Sequence, residues 1–172
     1  MTKVDKFFLL HGIPSKDFYS HLRTSLSLEK GLKVLIPEMR PYLYGSKIVA
    51  NELLKEHITP TLITDNMMGF FFYKGLIKKV YLFYKKEEPN ALLAYPGATL
   101  VALLSCHHKV RLNVFKGREG TPEVLLDRDS STLLGKRILP EGIEALRVED
   151  EVVPWGMIQD ARYKIHDIEN DK

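Results

Sequence analysis

The stretch Glu38–Gly69, EMRPYLYGSKIVANELLKEHITPTLITDNMMG, constrains the fold more than any other part of the chain. The apolar run KVLIPE (Lys33–Glu38) leads into it and predicts a buried strand. Gly45–Glu56 then places Ile48, Val49 and Leu53 at helical spacing. A second apolar run, TLITD (Thr61–Asp65), predicts the next strand. Runs that are apolar throughout, rather than alternating, belong to strands buried on both faces. Strands of that kind separated by single helices join through right-handed βαβ crossovers into a parallel sheet. The carboxyl ends of such strands face the crevice where ligands bind. Glu38 and Arg40 follow one strand, and Asp65 and Asn66 the next, so these polar residues fall where a site would lie.

The alternation continues on both sides. VDKFFLLH (Val4–His11) predicts the first strand, and Gly12, Ile13 and Pro14 a turn. Ser15 can then N-cap a helix to about Lys30, with Asp17 in its first turn and Phe18, Leu22 and Leu26 on one face. Asn66 to about Lys74 predicts a third helix, and Ile77–Tyr84 a fourth strand, with KKEEPN (Lys85–Asn90) as a surface loop. Pro96–His107 predicts a fourth helix and Val110–Phe115 a fifth strand. Residues 116–132 read as an irregular excursion. A strand over Arg137–Leu139, another around Glu144–Val148 and a helix from Pro154 follow, and IENDK frays. The expectation is one three-layer, Rossmann-like α/β domain over residues 1–172. Its mostly parallel, twisted sheet has six to seven strands flanked by helices.

Composition excludes several classes. Lys and Arg number 25 against 22 Asp and Glu, and a net charge of +3 is too small to argue for nucleic acid. The basic pairs Lys78–Lys79, Lys85–Lys86 and Lys136–Arg137 are scattered, with no arginine-rich, aromatic-interleaved stripe. Cys106 is the one cysteine, so no intrachain disulfide and no thiolate zinc cluster can form. It ends the apolar run ATLVALLSC, and His107 and His108 beside it point about 100° apart on a helix, so no metal site is expected. No apolar run approaches the roughly 20 residues of a membrane span. The first ten residues lack a signal peptide's pattern, and a cytoplasmic protein is the default. Neither GxxxxGK[ST] nor GxGxxG occurs, so neither ATP nor a nicotinamide cofactor is expected.

The remaining candidates carry two readings each. Asp65 can hold a ligand hydroxyl or N-cap the helix that starts at Asn66, and the two are compatible. Arg40 can bind a phosphate bidentately or brace its loop by pairing with Glu38 or Asp65. Pro41 restricts Arg40 to extended geometry. The Gly12–Ser15 turn and Gly97 precede helices, where exposed amides favour anions. MMGFFFYKG predicts a helix that is apolar all round, which needs cover on every side. A second subunit over Met67, Met68, Phe71 and Phe72 would supply it, in a homodimer or larger assembly.

EMRPYLYG with Glu38, Arg40, Pro41 and Gly45, the helix ending ANELLKEHI, and TLITDN (Thr61–Asn66) together resemble one family's carboxy-terminal domain. GKRILPEG (Gly135–Gly142) followed by VVPWGMIQ resembles its closing segment. The family contains the alpha, beta and delta subunits of translation initiation factor 2B, methylthioribose-1-phosphate isomerase and ribose-1,5-bisphosphate isomerase. The resemblance covers nearly the whole chain and is poorest over Lys78–Ala94. It implies association through this domain and a ligand site at the strand ends. Those positions here are His11, Gly12, Ser15, Arg40, Tyr44, Gly45, Asp65 and Asn66. Family members also carry an amino-terminal helical domain, which has no counterpart in this sequence.

The isomerases have a cysteine after the first strand, in Thr-His-Cys, where this chain reads Leu10-His11-Gly12. Their aspartate after the fourth strand, in Gly-Ala-Asp-Arg, falls at Tyr84 or Lys85. Their Asn-Lys pair becomes about Ala94-Tyr95, and the glutamine before Gly45 becomes Tyr44. Aldose–ketose isomerisation needs an acid/base pair placed at two adjacent carbons. Glycine has no titratable group, and lysine or tyrosine is the wrong substitute for a carboxylate base. The expectation is a non-catalytic, dimeric binding or regulatory module, with a phosphorylated small molecule as its candidate ligand. The alternatives are a sugar-phosphate enzyme with a rebuilt site of His11, Asp65 and Lys85, or a subunit completed by a separate partner chain.

Overall fold

In the computed structural model, residues 5–118, 132–133, 136–146, 148–159 and 164–165 are described. The chain runs β1 (Lys6–His11), α1 (Phe18–Leu28), β2 (Leu32–Pro37), a π-helical turn (Gly45–Val49) continuing into α2 (Ala50–Lys55), and β3 (Pro60–Ile63). A 3-10 turn (Asp65–Met67) leads into α3 (Met68–Tyr73), then β4 (Ile77–Glu88), β5 (Ala91–Ala94), α4 (Ala98–His107) and β6 (Arg111–Lys116). The short strands β7 (Thr132–Leu133) and β8 (Lys136–Arg137) pair with each other. The chain continues as β9 (Glu151–Pro154), α5 (Trp155–Gln159) and β10 (Lys164–Ile165).

Six strands pair in parallel in the order β10-β6-β4-β1-β2-β3. β1 and β4 are central and apolar on both faces. Phe8, Leu9 and Leu10 of β1, and Val80, Tyr81, Leu82 and Phe83 of β4, are all buried. One face packs against α1 and α2 through Phe18, Leu22, Ile48 and Leu53. The other packs against α3, α4 and α5 through Met68, Phe72, Val101 and Ile158. The mostly parallel three-layer α/β fold therefore stands as the apolar runs predict.

Four local expectations change. KKEEPN is not a surface loop. β4 continues to Glu88 and returns as β5, antiparallel, and β9 adds antiparallel to β5, giving eight strands. At the tip of this hairpin Lys86, Glu87, Pro89 and Asn90 are exposed and so read as a polar loop, while Leu92 and Ala94 of the returning strand are buried in the core. No strand forms over residues 144–146 or at Val148. The pairing segment lies later, at Glu151–Pro154, where Val153 is buried. Helix α1 starts at Phe18, because Ser15 contributes its backbone carbonyl to the Phe18 N–H (3.2 Å) in a preceding turn rather than a side-chain cap. The first strand's Val4, most of the 116–132 excursion, Gly135 and the frayed end fall outside the described residues.

Helix α3 is also not apolar all round in its packing. Met68 and Phe72 are each 1% exposed, within the chain's own core. Phe71 packs edge-on against Phe7, with centroids 5.5 Å apart. Met67, Phe70 and Tyr73 face outward. Met68 and Phe72 lie in the chain's own core cluster, which leaves almost none of either side chain for a second subunit to cover. Phe72→Ala is expected to cost about 3–5 kcal/mol in urea denaturation. Phe70→Ala, at an exposed position, is expected to change stability by less than about 1 kcal/mol.

Candidate functional site

The chain leaves β1 toward β2 and β3 on one side, and β4 and β6 lie on the other. The strand order therefore reverses between β1 and β4, and the crevice for a ligand opens at their carboxyl ends. In this protein that position is packed with its own groups. Gly12, just past β1, has φ +95, and a Cβ there would lie 2.5 Å from the Phe83 carbonyl oxygen and 3.0 Å from the Tyr95 ring. A side chain, cysteine included, meets both the left-handed backbone and a backbone oxygen.

His11 ends β1 and is 1% exposed, and neither ring nitrogen has a hydrogen-bond partner. Nε2 faces Gly97, at the start of α4. Burial lowers the imidazole from an ordinary 6.5 to about 4. The carboxylates of Asp65 and Glu151 pull the other way, as does the nearby Pro96 carbonyl, which stops short of hydrogen-bond geometry. The ring is neutral at pH 7.

The two carboxylates are committed to backbone. Asp65 Oδ1 accepts from the Met39 N–H (2.8 Å) and Oδ2 from the Arg40 N–H (2.7 Å). It thereby clamps the loop after β2, where Met39 is itself left-handed at φ 56. Asp65 is not the cap of the following turn: Thr64 holds the cap position, without a side-chain cap bond. Met39 reaches back to β1, its Sδ accepting from the Gly12 N–H at 3.1 Å. Glu151, on β9, accepts from the N–H groups of Gly97 and Thr99, each at 2.8 Å. It caps α4, and these bonds, with the nearness of His11, hold its carboxyl below the ordinary range despite burial. Glu38 goes the other way, raised by burial and by Asp65, with Arg40 opposing.

The other expected residues divide. Tyr44 is buried, stacked on Tyr42 (5.2 Å) and edge-on to Tyr95 (5.4 Å). Gly45 lies so close to β2 that a Cβ would sit 1.8 Å from the Pro37 carbonyl oxygen, which explains the glycine. Ser15 is half-buried with its hydroxyl unpartnered. Asn66 is exposed, its Oδ1 accepting from Thr64 Oγ1 at 2.6 Å. Arg40 makes no ion pair with Glu38 or Asp65 side chains; Asp65 takes its backbone N–H instead. Lys85 pairs with Asp150, and its Nζ lies 4.5 Å from the centre of the Tyr95 ring. Burial pushes the Tyr95 hydroxyl up, and Tyr44 adds to it.

Sequence reasoning misses Glu151 and places Tyr95 only as the counterpart of the isomerases' Asn-Lys pair. Glu151 nears His11 only because β9 pairs with β5, and nothing in the segment 148–154 marks a carboxylate that caps a helix more than fifty residues earlier. Among the described residues, no three His, Cys, Asp or Glu side chains gather as a metal site requires, and no helix is long and apolar enough to cross a membrane.

Residues 4–115 match the Initiation factor 2 subunit family. The chain belongs to this family. Methylthioribose-1-phosphate isomerase of Roseiflexus sp. (strain RS-1) is 30% identical over 149 residues, which are 80% of this chain and 42% of that enzyme. The same enzyme of Syntrophotalea carbinolica is 32% identical over 149 residues, 80% of this chain and 43% of the relative. The chain thus spans less than half the length of these relatives. Among solved structures, the delta subunit of translation initiation factor eIF-2B from A. fulgidus matches with a TM-score of 0.72 at 20% identity, over 89% of this chain and 50% of that one. The 5-methylthioribose 1-phosphate isomerase of Pyrococcus horikoshii matches at 0.69 and 17%, over 92% and 49%. Both likenesses concern the fold.

Two outcomes check this geometry. Gly12→Cys is expected to lose at least about 2 kcal/mol of stability, as a strained backbone plus an overlap requires. The His11 imidazole in the folded chain binds its proton less readily than in the unfolded chain. Its contribution is therefore intact above pH 6.5 and lost as the pH falls toward 4. Urea denaturation at pH 7 and pH 5 is expected to differ by about 2 kcal/mol from this group, and His11→Leu should remove that difference.

Proposed function

We propose that this chain is a non-catalytic, self-associating module of the Initiation factor 2 subunit family. The observation that carries the reading is the filled switch point: Gly12 against Phe83 and Tyr95, with Asp65 and Glu151 both engaged by backbone N–H groups. Moving a proton between adjacent carbons requires an acid and a base within hydrogen-bond reach of the substrate. Here the imidazole is buried and neutral, and the carboxylates hold loops. A phosphorylated small molecule at the strand ends would have to displace one of those carboxylates, and Arg40 is the strand-end cation it would meet first.

Association is carried by the outer surface of α3 and α4. Met67 in the turn before α3, Phe70 and Tyr73 on α3, and Leu100 and Leu103 on α4 are exposed and apolar, and the two helices are neighbours. Exposed apolar patches of this kind mark protein contacts. That one structural relative is a factor subunit agrees with an assembling role.

Incubation with methylthioribose 1-phosphate and ribose 1,5-bisphosphate, followed by NMR, is expected to show no isomerisation. Turnover lost on Asp65→Ala would contradict the reading. Sedimentation is expected to show a dimer or larger species. Phe70→Glu combined with Leu103→Glu should give folded monomers, and an unchanged profile would contradict the proposed face.

A further inference from the structure

The basic residues that lie scattered in sequence meet at the opposite end of the sheet. Lys33 of β2, Lys6 of β1, Lys78 and Lys79 of β4 and Arg111 of β6 stand at the amino ends of four consecutive strands. The register places Phe7 opposite Lys33, Phe8 opposite Lys79 and Lys79 opposite Arg111. At about 4.8 Å per strand, this row spans about 14 Å. The turns entering these strands add Lys30, Lys74 and Lys109, all exposed.

Among the described residues, eight cations thus face two carboxylates, Asp5 and Glu29, on this edge. Asp5 pairs with Lys33 at 2.7 Å, and Glu29 pairs with Lys78 and lies 3.9 Å from Lys79. Lys6 donates to the Gly75 carbonyl at 2.6 Å, which does not cancel its charge. Lys79 reports the crowding. Burial lowers its ammonium, Glu29 opposes this, and the nearby Arg111 and Lys78 lower it further.

Part of this charge has a local reason. Lys30, Lys74 and Lys109 follow the carboxyl ends of α1, α3 and α4, where cations complement the helix dipole. That reason does not extend to the strand-borne cations, which repel one another across the row. We propose that this edge binds the phosphate backbone of a nucleic-acid duplex without regard to sequence. A protein partner needs an apolar centre to its interface, and among the described residues the exposed large apolar side chains near the row, Leu28, Phe70 and Tyr73, lie on the flanking helices α1 and α3 rather than between the strand-borne cations. A single strand needs rings to stack on, and the exposed Tyr73 nearby is engaged by Lys74, 5.4 Å from its centre. A duplex backbone needs only distributed cations. This surface lies at the end of the sheet away from the crevice, so it stands or falls independently of the proposed lack of catalysis.

Fluorescence anisotropy with a labelled 20-base-pair RNA duplex, and with the same DNA duplex, tests the proposal. Binding is expected at 50 mM salt and should weaken about a thousandfold by 200 mM, as for roughly six neutralised phosphates. The triple variant Lys33→Glu, Lys78→Glu, Arg111→Glu should lose at least about a hundredfold in affinity at 50 mM salt. Lys47→Glu with Lys86→Glu, away from this edge, should not change it. If the triple variant melts early in circular dichroism, Lys78→Gln and Arg111→Gln are used singly. Each should lower the log–log salt slope by about one. Three results would each overturn the proposal: no binding at 50 mM salt, binding indifferent to these changes, or polyglutamate or phosphatidylserine vesicles held as tightly as the duplex.

Discussion

Two carboxylates, each accepting two backbone N–H groups, hold the carboxyl end of this sheet together. Asp65 fastens the loop after β2, and Glu151 fastens the amino end of α4 to β9. A buried, unpaired peptide N–H is costly, so each clamp satisfies donors that the fold would otherwise expose. Between the clamps lies His11, neutral and without hydrogen bonds, its environment dominated by burial. The ring closes the space that the clamps define.

This arrangement bears on how far the chain's likeness to its relatives reaches beyond the fold. The mostly parallel α/β sheet has the fold of solved structures of factor subunits and isomerases, and residues 4–115 match the Initiation factor 2 subunit family. A shared fold supplies a place for a site, while function depends on the groups that stand there. Here a glycine backbone, an aromatic ring and a methionine sulfur occupy that place. Gly12 donates its N–H to Met39 and leaves no room for a side chain beneath Tyr95.

The centre of the fold is legible in the sequence because its strands are buried on both faces. Phe7–Leu10, Val34–Ile36 and Val80–Phe83 read as apolar runs for the same reason that they pack. The β4–β5 hairpin is illegible because its tip is charged, so Lys86, Glu87 and Glu88 pair as a strand through backbone bonds that residue types do not reveal, although Leu92 and Ala94 of its second strand are buried. At the site, Asp65 and Arg40 were visible as polar residues after strands, yet their contact runs from carboxylate to backbone N–H, which residue types do not encode. Glu151 was invisible because β9 brings it to Gly97 across a long stretch of chain. The cationic edge was hidden likewise: Lys33, Lys78 and Arg111 are far apart in sequence and become neighbours only through strand order.

Amide hydrogen exchange followed by NMR tests the clamps most directly. If Asp65 and Glu151 hold the crevice shut, the N–H groups of Met39, Arg40, Gly97 and Thr99 should exchange only through openings nearly as costly as global unfolding. Asp65→Asn should release the first pair selectively and Glu151→Gln the second. Fast exchange at all four in the unmodified protein would mean that the crevice stands open, and would contradict the account.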